Sequence, residues 1–237
     1  MNEKVKHIIE STFLMSLATN TSDGIWVSDV IHLTDGVMPA LYWISSSGAK
    51  HSKALELNSE CAVSITLTQK AGEKKLGVQM QGFAHEVQGD TYNLTCLHAE
   101  KQGLPKPANV SEYCEGDAWY VFFPYAIQIF DEDAEIAETV MVLDKEKIIQ
   151  SKKDLVEEGY PNPFLWFDMP GYEYPKHIHQ GRVSLHIIHG SITFSGGLEK
   201  VVSAGERFDV PIGVHHTAIV GPEGCVYVVG QEIEGDA

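Results

Sequence analysis

The chain has 237 residues, 43% of them hydrophobic. That is enough for a packed core, in one large domain or two small ones, and it excludes a disordered chain. With 33 acidic against 17 basic residues the net charge is −16, which disfavours nucleic acid and anionic membrane as partners, and no Arg-rich stripe offsets it.

The predicted elements begin with a short amphipathic helix over 2–12, with Val5, Ile8 and Ile9 at helical spacing. Phe13 to Thr19 reads as a strand. Asn20 to Gly24 reads as a turn with an Asp-Gly hairpin signal, and Ile25 to Leu33 as the second strand. Ala40 to Ser45 makes a third. A polar run, Ser45-Ser46-Ser47-Gly48-Ala49-Lys50-His51-Ser52-Lys53, leads into a helix from Lys53 to Asn58. Strands over Cys61–Thr68, Gly77–Val87 and Trp119–Phe130 follow, with a helix over Thr91–Glu100.

The order of these pieces resembles the flavin-binding split-barrel family typified by pyridoxamine 5′-phosphate oxidase. The resemblance covers roughly residues 5–130. Its segments are Leu14 to Thr19, Trp26 to Ser28, Leu41 to Ser46, His51 to Asn58, Cys61 to Ile65 and Gln81 to Ala84. No single motif is diagnostic. The resemblance implies FMN as cofactor, held at a two-fold homodimer interface. A phosphate needs hydroxyls, backbone N–H groups and a cation near a helix N-terminus. By position, the family's phosphate site falls on Ser45, Ser46, Lys50 and Lys53, with His51 as a further member. The same segment also suits an ordinary polar loop with a helix cap. The Arg-rich phosphate signature of the true oxidase is absent. Trp26, Trp43 and Trp119 suit a core or an interface better than flavin stacking.

Asp131 to Glu138 holds five acids in eight residues, which suits an exposed linker over 131–143. The expected domains are therefore 1–130 and 144–237. In the second, Lys145 to Glu158 reads as a helix stopped by Gly159 and Pro161. Phe164 to Asp168 opens a further set of strands.

Six of the eleven histidines lie between His177 and His216. The pattern is Gly171, five residues, then His177-Ile178-His179. Farther on comes Gly205, five residues, then Pro211-Ile212-Gly213-Val214-His215-His216. Alternation along a strand puts His177 and His179 on one face. A third imidazole from a distant strand completes a metal-ligand set. This pattern resembles the cupin family, a small double-stranded β-helix barrel, over roughly the last 90 residues. The family's usual carboxylate falls on Val183, and the Asn that often ends its second motif falls on Val220. The remaining ligand set is His177, His179 and His216, suited to Zn, Fe or Ni. The alternative is an empty barrel whose histidines line a pocket. His189 reads as a rim residue at a Gly190 turn, and His186 and His215 as surface or interface residues. Arg182 beside the vacant carboxylate position suits a solvated loop better than a substrate clamp.

The whole chain is expected to be mainly β: a split barrel, then a cupin. The four cysteines are scattered, which fits reduced thiols in the cytoplasm. No signal peptide or membrane span is expected. The favoured reading is an FMN-dependent oxidoreductase with a metal- or ligand-binding cupin, acting on a small molecule. No general base is identifiable. The alternatives are a cupin-centred metalloenzyme of dioxygenase or isomerase type, and a non-enzymatic flavin or small-molecule sensor.

Overall fold

The computed structural model describes residues 2–34, 36, 39–67, 71–87, 91–134 and 138–232. The chain is mainly β, its strands paired antiparallel. It divides into two compact units, 1–142 and 143–237.

The first unit opens with α1 (Glu3–Glu10). Asn2 caps it, its side-chain oxygen accepting from the Lys4 and Val5 backbone N–H groups at 2.9 and 3.5 Å. Val5, Ile8 and Ile9 are buried along one stripe, each contributing roughly 1.5–3 kcal/mol of burial. β1 (Leu14–Thr21) alternates, with Met15, Leu17 and Thr19 inward. A two-residue turn at Ser22-Asp23 joins it to β2 (Gly24–Ile31), Thr21 facing Gly24 in register. β3 (Leu41–Ser45) leads to α2 (Lys50–Leu57), then β4 (Glu60–Thr66) and β5 (Leu76–Glu86). α3 (Tyr92–Lys101) and α4 (Val110–Cys114) precede the long β6 (Ala118–Asp131). Within the stretch expected as a linker, β7 (Glu138–Met141) pairs back onto β6. β6 has an edge to offer there, because β3 pairs only with its first residues, Ala118 to Phe122.

The strand order is β2-β1-β4-β5-β6-β3, with β7 beside β6. Leu33 exchanges both backbone hydrogen bonds with Tyr42 of β3, at 2.8 and 2.9 Å. The segment after β2 thereby reaches the strand at the far end of the order. Met15, Leu17, Trp43, Val63, Met80 and Phe122 are among the residues filling the interior.

The second unit begins with α5 (Lys145–Glu157), capped by Asp144, whose side chain accepts from the Lys147 N–H at 3.0 Å. β8 (Phe164–Asp168), β9 (Glu173–His177), β10 (Val183–Ser195), β11 (Lys200–Ser203), β12 (Arg207–Val210) and β13 (His216–Gln231) follow. Two long strands, β10 and β13, run side by side. One half of the pair is flanked by β12 and β8, the other by β11 and β9.

Both long strands change inward parity midway. In β10, Val183, Leu185 and Ile187 are inward, and then Ile192 and Phe194. The register shifts between Ile187 and Ile192 mark a bulge there, which bends a strand from one layer into the next. The expected turn at Gly190 is therefore a bulge inside one continuous strand. Gly190 has φ +74°, and a Cβ there would lie 1.9 Å from the Gly224 carbonyl oxygen. Only glycine meets both demands. His189 sits half-buried in that bulge.

Candidate functional site

The two halves of the histidine pattern meet across a strand pair. β9 and β13 place His177 directly opposite His216. His179 lies just past the end of β9, so strand alternation does not carry it inward, as the sequence suggests. Its backbone carbonyl accepts from the Gly213 N–H at 2.9 Å, which ties the Pro211–Gly213 turn to the His-x-His loop. One nitrogen from each of the three rings lies within 4.8 Å of the others. Among the described residues, the group has no carboxylate or thiolate member.

Hydrogen bonds fix which nitrogen two of the rings offer. His177 Nδ1 donates to the Pro175 carbonyl at 2.7 Å, and His216 Nδ1 donates to the Val214 carbonyl at 2.9 Å. A carbonyl only accepts, so Nδ1 carries the proton and Nε2 keeps a lone pair in each neutral ring. His216 is fully buried, and its Nε2 has no hydrogen-bond partner. His177 Nε2 and His179 Nε2 are 3.3 Å apart. Two imidazoles on one tetrahedral metal, with bonds of about 2.0–2.1 Å, have donor atoms about 3.3–3.4 Å apart. The partnerless buried nitrogen of His216, beside two ring nitrogens at ligand spacing and with backbone carbonyls behind the His177 and His216 rings, fits a bound metal.

The three rings line a cavity of about 230 Å³. Its walls are largely apolar, with Val183, Leu185, Ile192, Phe194 and Val229 among them. Val183, at the vacant carboxylate position, thus faces the cavity as a plain apolar wall. Arg182 does not enter it. Its guanidinium pairs with Glu232 at 2.8 Å and covers the Tyr160 ring.

A second polar group was not visible from sequence. Asp168 is buried, and three donors converge on its carboxylate: Tyr174 Oη at 2.7 Å, Tyr227 Oη at 2.8 Å and Trp166 Nε1 at 3.0 Å. Burial raises the Asp168 carboxyl against the lowering effect of these bonds. Burial first, and the Asp168 charge second, push the Tyr174 and Tyr227 phenols up, so both keep their protons. Tyr174, Tyr227 and Trp166 line the cavity. The only sequence signal was Trp166 and Asp168 at strand spacing. His186 is half-buried, with its pKa lowered by burial and then by Arg207, and His215 is exposed.

In the first unit, Ser45 Oγ meets His51 Nε2 at 2.8 Å, and His51 Nδ1 meets Ser28 Oγ at 3.1 Å. Burial lowers the pKa of that ring. Ser46 Oγ accepts from the Gly48 N–H at 3.2 Å. Lys50 pairs with Asp23 at 3.1 Å and lies over the Trp26 ring. Lys53 is exposed. Ser45 and His51 are thus brought together, Ser46 lies just before the adjoining turn, Lys50 opens α2, and Lys53 shares none of these contacts. Ala49 gives α2 no capping side chain, so its first-turn N–H groups remain open to an anion. Trp43 and Trp119 are core residues, whereas Trp26 is 43% exposed.

No protein-family model matches this chain, and no curated protein does. Solved structures do resemble it. A heme binding protein from Mycobacterium smegmatis is 16% identical, spans 72% of this chain and 81% of its own, and gives a TM-score of 0.44. A putative pyridoxamine 5′-phosphate oxidase from Listeria innocua is 15% identical over 56% of this chain and 98% of its own, also at 0.44. General stress protein 26 from Bacillus anthracis is 17% identical over 59% and 97%, again at 0.44.

Proposed function

We propose that this chain is a metal-dependent enzyme of the cupin type, joined to a flavin-binding split barrel. His177, His179 and His216 hold a divalent transition metal such as Zn, Fe or Ni. The observation that carries this reading is the convergence of three imidazoles, with Nδ1 of His177 and His216 turned to backbone carbonyls and Nε2 of His216 buried without a partner. Three protein ligands leave positions open for water or substrate. Such a metal would supply Lewis-acid activation of a bound oxygen atom, as isomerase chemistry needs, and a redox-active one such as Fe would also supply the electrons that dioxygenase chemistry needs. The chain's own part is to hold the rings, exclude water with the apolar walls and present a small molecule.

The second reading keeps FMN in the first unit as an electron or hydride carrier, which makes the protein an oxidoreductase. What favours it is the Ser45–His51–Ser28 group beside the open N-terminus of α2, with Lys50 at its first turn. Four free thiols fit a reducing cytoplasm. Among the described residues, no helix is long and apolar enough to cross a membrane.

Elemental analysis and an absorbance spectrum of the freshly purified full chain test both readings at once. Near-stoichiometric transition metal supports the first, and a flavin band supports the second. Neither, after incubation with FMN and with Zn²⁺, Fe²⁺ or Ni²⁺ in turn, leaves a small-molecule sensor.

A further inference from the structure

The cavity behind the three histidines has its own chemical selectivity. Among the described residues, its lining contains no lysine, arginine, aspartate or glutamate. At about 230 Å³ it is smaller than the roughly 300–1,000 Å³ that encloses a drug-sized ligand. One six-membered ring with a substituent or two fills it. Away from the histidines, the polar features are the phenols of Tyr174 and Tyr227, with Trp166 and the Gln231 amide.

The direction of the phenol protons decides what those groups recognise. Tyr174 Oη and Tyr227 Oη are 2.7 and 2.8 Å from Asp168, but 3.4 Å from each other. The shorter bonds, to carboxyl oxygens on which three donors converge, take both protons. Trp166 Nε1 is spent on the same carboxylate. With both protons so spent, the phenols have only lone pairs to offer a ligand, with a buried carboxyl group behind them. At the phenols an anion is repelled, a carbonyl finds no donor, and a hydroxyl or N–H is welcomed.

We infer that this cavity binds a small, uncharged, mostly apolar molecule of about one ring, through a hydroxyl or N–H donor that the Tyr174 and Tyr227 oxygens accept. Asp168 is the positioning residue that turns both phenols into acceptors. This deepens the three-histidine reading and rests on it for the ligand's contact with the metal, but the donor preference belongs to the cavity alone.

The test uses the full chain stripped of metal by a chelator, titrated calorimetrically with phenol, toluene and benzaldehyde. These share a ring and differ in one substituent: a donor, a methyl and an acceptor. Phenol is expected to bind about tenfold more tightly than toluene, the equivalent of one net hydrogen bond of about 1.4 kcal/mol. Benzaldehyde should match toluene. Tyr174→Phe and Tyr227→Phe should each shrink the phenol preference and leave toluene binding in place. Asp168→Asn is the sharper variant. An amide donates as well as accepts, so one phenol proton is released toward the cavity, and benzaldehyde should gain on phenol. A role in packing alone does not predict that exchange. Equal binding of phenol and toluene, no binding of any probe, or a phenol preference that survives both Phe variants overturns the inference. If Tyr227→Phe or Asp168→Asn fails to fold, the half-exposed Tyr174→Phe decides the matter. Zinc stoichiometry on the same preparation is a separate readout. Zinc bound without the donor preference removes only this inference, and the preference without zinc removes only the metal reading.

Discussion

His179 is the proposed ligand least supported by the strand framework, since it lies beyond β9 and is held by the Gly213 N–H on its carbonyl. His179→Ala should therefore remove bound metal and leave the fold intact, with metal content falling by at least about tenfold. Elemental analysis beside a circular dichroism spectrum checks it. Metal retained at wild-type stoichiometry would count against the three-histidine set. A second residue, His32, is fully buried, with Nδ1 unpartnered and Nε2 at 3.1 Å from Thr12 Oγ1. Burial, helped by the Lys101 charge, pushes its pKa down from 6.5 to about 3. The unfolded chain thus takes up a proton near neutrality that the folded chain refuses. The stability this provides is complete above pH 6.5 and is lost as the pH falls toward 3, at up to about 1.4 kcal/mol per pH unit. His32→Gln should flatten the acid-side decline by one proton equivalent. Urea midpoints of both proteins, at neutral pH and at about two units lower, measure it. At this scale the sequence revealed the histidine cluster but not its surroundings. His177, His179 and His216 stood out through residue type and spacing. Asp168 did not, because nothing local separates it from other acidic residues. Its three donors matter only after β8, β9 and β13 are assembled.

At the scale of elements, most strands and helices were legible, because hydrophobic alternation and the turn residues agree. β1, β4 and α5 lie within a few residues of their expected bounds. What alternation conceals is a change of parity within one strand. The sequence places His189 on the face of Val183, Leu185 and Ile187, beside a turn. β10 instead continues to Ser195, and its bulge hands the inward role to Ile192 and Phe194. That bulge positions both layers of the cavity wall. Gly190→Ala meets two penalties, a positive φ of +74° and a carbonyl 1.9 Å from the new Cβ. It should cost at least about 2 kcal/mol and loosen the pocket lined by Val183 and Phe194. Denaturant unfolding of the variant gives the number. A loss under about 0.5 kcal/mol would show that the bulge relaxes freely.

At the scale of the whole molecule, the question is what covers β2. It lies at one end of the strand order of its sheet. Ile25 is 81% exposed, Val27 57% and Trp26 43%, and Leu14 on the adjoining β1 is 52% exposed. An apolar edge strand of this kind is a template for association unless something protects it. Soluble homo-oligomers are most often two-fold dimers, and such a dimer places like surfaces together. The resemblance seen in the sequence implies the same arrangement, with flavin held where two copies meet. Light scattering behind a sizing column should therefore give twice the 26.2 kDa chain mass. Replacing Ile25 and Val27 together by lysine should shift the protein to monomer. Neither side chain belongs to the buried core, so the fold should survive the change. If the flavin site depends on the pair, FMN affinity falls with the loss of the dimer, whereas metal content in the second unit stays the same. A monomeric wild type would remove both the dimer and its flavin site, and would leave β2 as the surface where a different partner docks.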